Sequence, residues 1–149
     1  GLRCVLATLP VAAVFPGMMT KPIAQDQIIS PEAKLEVVWG EGEFTEGPAL
    51  GGDGQIYFSD IGNRIYRFDP KTKKTEVYRD PSGRSNGLIF DSQGRLFAAE
   101  GANSGGERRI TVTEKDGKVR TLADKYEGKR FNSPNEIGLE HHHALLALV

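Results

Sequence analysis

The chain has 149 residues, of which 38% are hydrophobic and 26% charged, an ordinary globular balance sufficient for one small domain. Lysine and arginine number 19 against 20 aspartates and glutamates, a net charge of -1. Without the basic excess of a nucleic-acid binder, nucleic acid is set aside as a partner.

Leu2 to Phe15, LRCVLATLPVAAVF, is apolar apart from Arg3, and no Asp or Glu occurs up to Ala24. The run is short for a bilayer span, which needs about 20 apolar residues, and suits the apolar centre of a secretory signal. Pro10 and Pro16 count against the alternatives, a membrane anchor or a buried terminal helix. Residues 1–24 are therefore expected to be a signal peptide truncated at its start, since position 1 is Gly, and 25–34 a polar linker. Cleavage near KPIAQD removes Arg3, Lys21 and the single cysteine, Cys4, leaving 17 basic against 20 acidic residues and a net charge of -3. No disulfide or thiol chemistry is then expected. The expected location is periplasmic or secreted, with no stable membrane association after cleavage.

KLEVVWGEGEF opens the folded part, predicted over 35–138, and from there the sequence repeats itself. EGPALGGDGQIYFSD from Glu46 aligns with NGLIFDSQGRLFAAE from Asn86 at an offset of 40, matching Gly47 with Gly87, Gly54 with Gly94, Tyr57 with Phe97 and Asp60 with Glu100. RIYRFDPKTKKTEVYRD and RITVTEKDGKVRTLAD then each read as strand, polar turn, strand. The offset grows to 45 at Ile65 and Ile110, and the extra residues fall in the loop GANSGGER, where insertions are cheap. Turn signals at Asp53-Gly54, Asp60 to Asn63, Asp69 to Lys74, Gln93-Gly94 and Asp116-Gly117 divide each unit into four short strands. Four strands in about 40 to 45 residues is the period of a β-propeller blade, with a long β-sandwich as the alternative. A third copy starts at NSPNEIGLE, but EHHHALLALV lacks the turn due there, so 139–149 is an atypical end. The fold class is all-β, a partial propeller of about two blades and the start of a third. Closed propellers have about four to eight blades, so a larger protein is expected around this piece.

Glu46, Asn86 and Asn135 occupy one place in successive units, the start of the innermost strand, which faces the central channel of a propeller. A carboxylate and two side-chain amides there are hard oxygen donors, suited to Ca²⁺ or Mg²⁺ and tolerant of Mn²⁺ or Zn²⁺. Each also has a local reading as a turn residue, strongest for Asn86 because Asn86-Gly87 is a common turn pair. His141, His142 and His143 are a poor alternative, since adjacent residues of a strand point to opposite faces and LEHHH resembles part of a purification tag or a shifted frame. GANSGGER lacks the Gly-Lys-Ser/Thr ending of a phosphate loop and precedes a strand. No nucleophile elbow accompanies Ser59, Ser85 or Ser133.

FTEGPALGGDGQIYFSDIGNRIYRFDP, SNGLIFDSQGRLFAAEG and DGKVRTLADKYEGKRFNSPNE together resemble the gluconolactonase, regucalcin and luciferin-regenerating-enzyme family, over roughly residues 35 to 138. The resemblance implies a six-bladed propeller with one divalent metal in its channel, Ca²⁺ first among Zn²⁺, Mg²⁺ and Mn²⁺. Glu46 corresponds to the metal-binding Glu of EGP, and Asn135 to the Asn facing both metal and substrate. Arg130 and Asn132 fall in the substrate-binding stretch, and Glu136 replaces the usual Asp. A further Asn ligand and an Asp general base come from later blades, so no catalytic residue is expected within this chain. The implied activity is metal-dependent hydrolysis of a sugar lactone by the full-length parent, the piece alone being inactive. Alternatives are hydrolysis of another lactone or a phosphotriester on the same scaffold, or a non-catalytic binding module.

Overall fold

The computed structural model describes residues 4–7, 28–102, 104–140 and 145–148, with the backbone alone at 4–7 and 145–148. The expected signal segment is thus covered only at Cys4–Ala7, and His141, His142 and His143 lie outside the described residues.

All helix or strand structure among the described residues is strand. β1 (Cys4–Ala7) pairs antiparallel with β2 (Leu35–Trp39). Two four-stranded antiparallel sheets follow in chain order: β3 (Thr45–Leu50), β4 (Ile56–Asp60), β5 (Arg64–Asp69) and β6 (Lys74–Arg79), then β7 (Ser85–Phe90), β8 (Leu96–Glu100), β9 (Arg109–Thr113) and β10 (Val119–Ala123). A small hairpin, β11 (Lys125–Tyr126) and β12 (Lys129–Arg130), leads into β13 (Glu136–Leu139). β3 packs on β7 and β7 on β13, so the first strands of successive units stand side by side. This is the partial propeller that the repeat predicts.

The turns explain why the units repeat. At Gly51–Gln55 and Asp91–Arg95 the first residue's N–H donates to the last residue's carbonyl, and an aspartate carboxylate accepts the N–H two residues on. Gly54 and Gly94 take φ of 79° and 75°, the left-handed region that glycine enters without penalty. Glu114–Lys118 closes the β9–β10 hairpin in the same way.

Alternation along the second strand of each blade assigns its two faces. Tyr57 meets Phe90 edge-on at 4.8 Å and Ser59 Oγ lies 2.8 Å from Ser85 Oγ, so both point at the second blade. Phe58 points the other way, onto Trp39 of β2 at 5.3 Å. In β8, Leu96 and Ala98 join Ala49, Tyr57, Ile65 and Leu88 in the buried seam between the blades. The core is therefore interblade, and neither sheet buries its apolar face without the other.

The third unit holds a second strand that the sequence pattern did not offer. β14 (Leu145–Leu148) pairs antiparallel with β13, Glu136 opposite Leu148 and Leu139 opposite Leu145.

Tyr57 makes the seam sensitive to alkali. Burial, with a 2.8 Å hydrogen bond from its hydroxyl to Asp53 Oδ2, pushes its pKa from 10.0 up to about 12. The unfolded chain loses this proton near pH 10 while the folded chain keeps it. The resulting stabilisation is complete below pH 10 and disappears as the pH rises through about 12. Urea midpoints should fall across that window, and Tyr57→Phe should flatten the fall. Tyr78, also raised by burial, should leave a smaller slope.

Candidate metal and substrate site

β3 and β7 enter the channel end of the molecule through the same irregularity. Register shifts between Glu46 and Ala49 and between Ser85 and Leu88, so β3 carries an irregularity at Gly47-Pro48 and β7 one at Asn86-Gly87. Asn86 lies within the shifted stretch of β7, whereas Glu46 is paired with Ser59 immediately ahead of the one in β3. The glycines that follow let neighbouring strands approach. A Cβ on Gly47 would overlap the Asn86 carbonyl, and one on Gly87 would stand 2.7 Å from Asn135 O. Gly87 N donates to that same Asn135 oxygen at 2.7 Å. Backbone contacts of this kind string Glu46, Asn86 and Asn135 across three successive units.

Their environments differ. Glu46 is half-buried, Asn135 is exposed, and Asn86 is 3% exposed. The turn reading of Asn86-Gly87 is corrected: both residues lie within β7, and the glycine is needed for proximity to Asn135. Asn86 Nδ2 donates to Pro134 O at 3.3 Å, while its Oδ1 is buried without a hydrogen-bond donor. An amide oxygen left so costs on the order of 1–3 kcal/mol unless something else takes its lone pairs. A hard cation is a fitting partner for that oxygen, and Glu46 and Asn135 belong to the units on either side of Asn86. Among the described residues no group of three or more His, Cys, Asp or Glu could hold a metal, so any donor set here is mainly of amides.

Arg130 and Asn132 are both exposed in the lead-in to β13. Arg130 Nη2 donates to Glu107 O at 2.8 Å, which ties the β11–β12 hairpin to the β8–β9 loop. Two further basic residues, passed over in the sequence, stand at this end: Arg84 before β7 and Arg108 before β9. Their available signal was position, each being the last residue of a loop that opens on the channel end.

Behind the site, the acids matched by the repeat hold the lead-ins to the inner strands. Asp60 Oδ1 accepts the N–H groups of Glu43 and Phe44 at 3.2 and 3.0 Å, just ahead of Glu46. Glu100 occupies the equivalent place in the second blade, beneath Gly83 and the segment that leads to Asn86.

The family model described as "SMP-30/Gluconolactonase/LRE-like region" matches residues 44–147. A gluconolactonase of Zymomonas mobilis subsp. mobilis is 28% identical over 127 residues, covering 75% of this chain and 35% of its own length. The structure of a gluconolactonase from Xanthomonas campestris superposes with a TM-score of 0.65 at 29% identity, over 72% of this chain and 35% of that one. A protein described as a putative gluconolactonase gives 0.63 at 30% identity, over 72% and 37%. A streptogramin B lyase, 20% identical with a TM-score of 0.60 over 78% of this chain and 38% of that one, shares the fold alone. The chain thus spans about a third of the length of these relatives. With the family model covering most of the described blades and the repeat, bulges and channel-end residues in place, the chain belongs to the SMP-30/gluconolactonase/LRE-like family.

Proposed function

We propose that these blades are the opening part of a propeller that hydrolyses a sugar lactone with the help of one divalent cation, Ca²⁺ first among the candidates. The observation that carries the reading is the buried Oδ1 of Asn86, without a hydrogen-bond partner among the described residues, on the strand between β3, which carries Glu46, and β13, which Asn135 immediately precedes. Glu46, Asn135 and Asn86 would hold the ion. When bound, such an ion supplies Lewis acidity toward a lactone carbonyl. Glu46 contributes the negative charge of the donor set, and Asn86 is pre-oriented by its bond to Pro134 O. Asn132 and Arg130, exposed at the rim, are assigned to orienting sugar hydroxyls. The carboxylate that takes a proton from water is assigned to blades beyond these, so activity belongs to the complete propeller.

The test uses the complete propeller with Glu46→Gln. Cation affinity measured by calorimetry should fall roughly tenfold or more, because the donor set loses its charge, and lactone hydrolysis should fall with it. Unchanged metal content and turnover would remove Glu46 from the role. Turnover of a phosphotriester but of no lactone would move the assignment to another ester on this scaffold, and cation binding without turnover would make it a binding module.

The apolar, acid-free run from Leu2 to Phe15 supports export as the route of the protein. Among the described residues no helix is long and apolar enough to cross a membrane.

A further inference from the structure

Six of the described arginines are paired with acids. Arg64 pairs with Asp80, Arg67 with Glu76, Arg95 with Asp91, Arg120 with Glu114, and Arg79 and Arg109 both with Glu100. The described arginines outside these pairs are Arg84, Arg108 and Arg130, and all three stand at the channel end. Each is tethered to a backbone carbonyl instead. Arg84 Nη1 donates to Ile61 O at 3.4 Å, Arg108 Nε to Phe131 O at 2.6 Å, and Arg130 Nη2 to Glu107 O at 2.8 Å.

A carbonyl orients a guanidinium without cancelling its charge and leaves most of its N–H donors for another acceptor. The three tethers meet around one loop. Glu107 N donates to Gly83 O at 3.3 Å, beside Arg84, and a Cβ on Gly105 would stand 3.1 Å from Arg84 Nε. Arg108 closes that loop, and Arg130 is bonded to it. Arg84 and Arg108 also hold φ of 55° and 57°, a left-handed conformation that costs energy in any residue with a side chain. Charge without an acid partner among the described residues, a shared loop and backbone strain coincide beside Asn86 and its neighbours.

We propose that Arg84 and Arg108, beside the Arg130 assigned to sugar hydroxyls, form an anion-binding patch, and that the substrate drawn to this end carries an acidic group, a carboxylate or a phosphate, in addition to the group that reacts. The identity of the reacting group rests on the lactone reading above, whereas the binding of the anion does not.

The chain should be titrated with inorganic phosphate, gluconate and glucose at low ionic strength, following the arginine side-chain N–H signals by NMR. The anions should saturate and glucose should not, and raising salt from about 20 to about 300 mM should weaken the binding. Arg84→Gln together with Arg108→Gln should weaken it by roughly tenfold or more, as expected for lost charge-assisted bonds. Tighter binding of phosphate than gluconate would assign a phosphoryl group, and the reverse order a carboxylate. Because the tethers also staple loops, the Arg84→Lys, Arg108→Lys pair provides a folded control, with circular dichroism matching the parent and most of the anion binding kept. No saturation by either anion, equal affinity in the folded Gln pair, or a folded Lys pair that binds no anion would overturn the proposal. Anion binding without lactone turnover by the complete propeller would leave the patch standing and sink the lactone reading. Turnover of a neutral lactone with no anion binding would do the reverse.

Discussion

Glu100→Ala should cost the chain about 3–5 kcal/mol of stability, the cost of breaking a buried charge pair from one side. The Glu100 carboxylate is fully buried and accepts from Arg79 Nη2, from Arg109 Nε at 2.7 Å and from Thr111 Oγ1 at 2.8 Å. Arg79 ends β6 of the first blade and its side chain is only 11% exposed, so removing the acid strands a cation inside the interblade seam. Glu100→Gln keeps the shape and some of the bonds and should lose less. Replacing Glu100 and Arg79 together by apolar residues should lose less than the sum of the single changes, because only Arg109, whose side chain is 30% exposed, is then left without its acid. Urea denaturation of the four chains supplies the cycle. A loss below about 1 kcal/mol for Glu100→Ala would place the network with surface ion pairs and remove it from the account of how the blades join.

This network shows where sequence reading stops. The repeat made Glu100 visible as the counterpart of Asp60, and the alternation of β8 assigned it a face. Nothing local said that Arg79, on the far strand of the preceding blade, would reach it. The hairpins were legible because their physics is local: a glycine able to take positive φ, an aspartate able to catch the N–H two residues on, and alternating apolar residues on either side. Glu46, Asn86 and Asn135 were legible as equivalents, but their ranking was not. Asn86 looked like a turn residue because Asn-Gly usually is one. Its burial comes from the Pro134–Asn135 segment, 48 residues on in its bond to Pro134 O, and no short window contains both. Arg84 and Arg108 escaped for the same reason, since an arginine is distinguished here by lacking an acid partner, which only the fold reveals. β14 carries no turn signal ahead of it, and its pairing with β13 is likewise non-local.

Gly47→Ala should be the most damaging of the glycine substitutions at the inner strands, at about 2–5 kcal/mol, because two penalties meet there. Its φ is 57°, and an added Cβ would overlap the Asn86 carbonyl oxygen and sit 2.9 Å from Gly87 Cα. Both neighbours are backbone, so no side chain can swing aside. Two other glycines separate the penalties. Gly54 has a φ of 79° with nothing within 4 Å of its Cβ position, so Gly54→Ala measures the conformational cost alone, about 1–2 kcal/mol. Gly87 lies in ordinary strand conformation with Asn135 O at 2.7 Å from its Cβ position, so Gly87→Ala measures the contact cost alone, about 1–3 kcal/mol. Denaturation midpoints should therefore rank Gly47→Ala below both, near the sum of their losses. The site should register the same order, because only the substitutions at 47 and 87 push apart strands that carry Glu46, Asn86 and Asn135. Cation affinity in the complete propeller should drop for those two and stay unchanged for Gly54→Ala. A Gly47→Ala chain no less stable than Gly54→Ala would mean that the inner strands do not pack as closely as the Asn86 carbonyl requires, and the close approach of the three units on which the proposed cation site depends would fail with it.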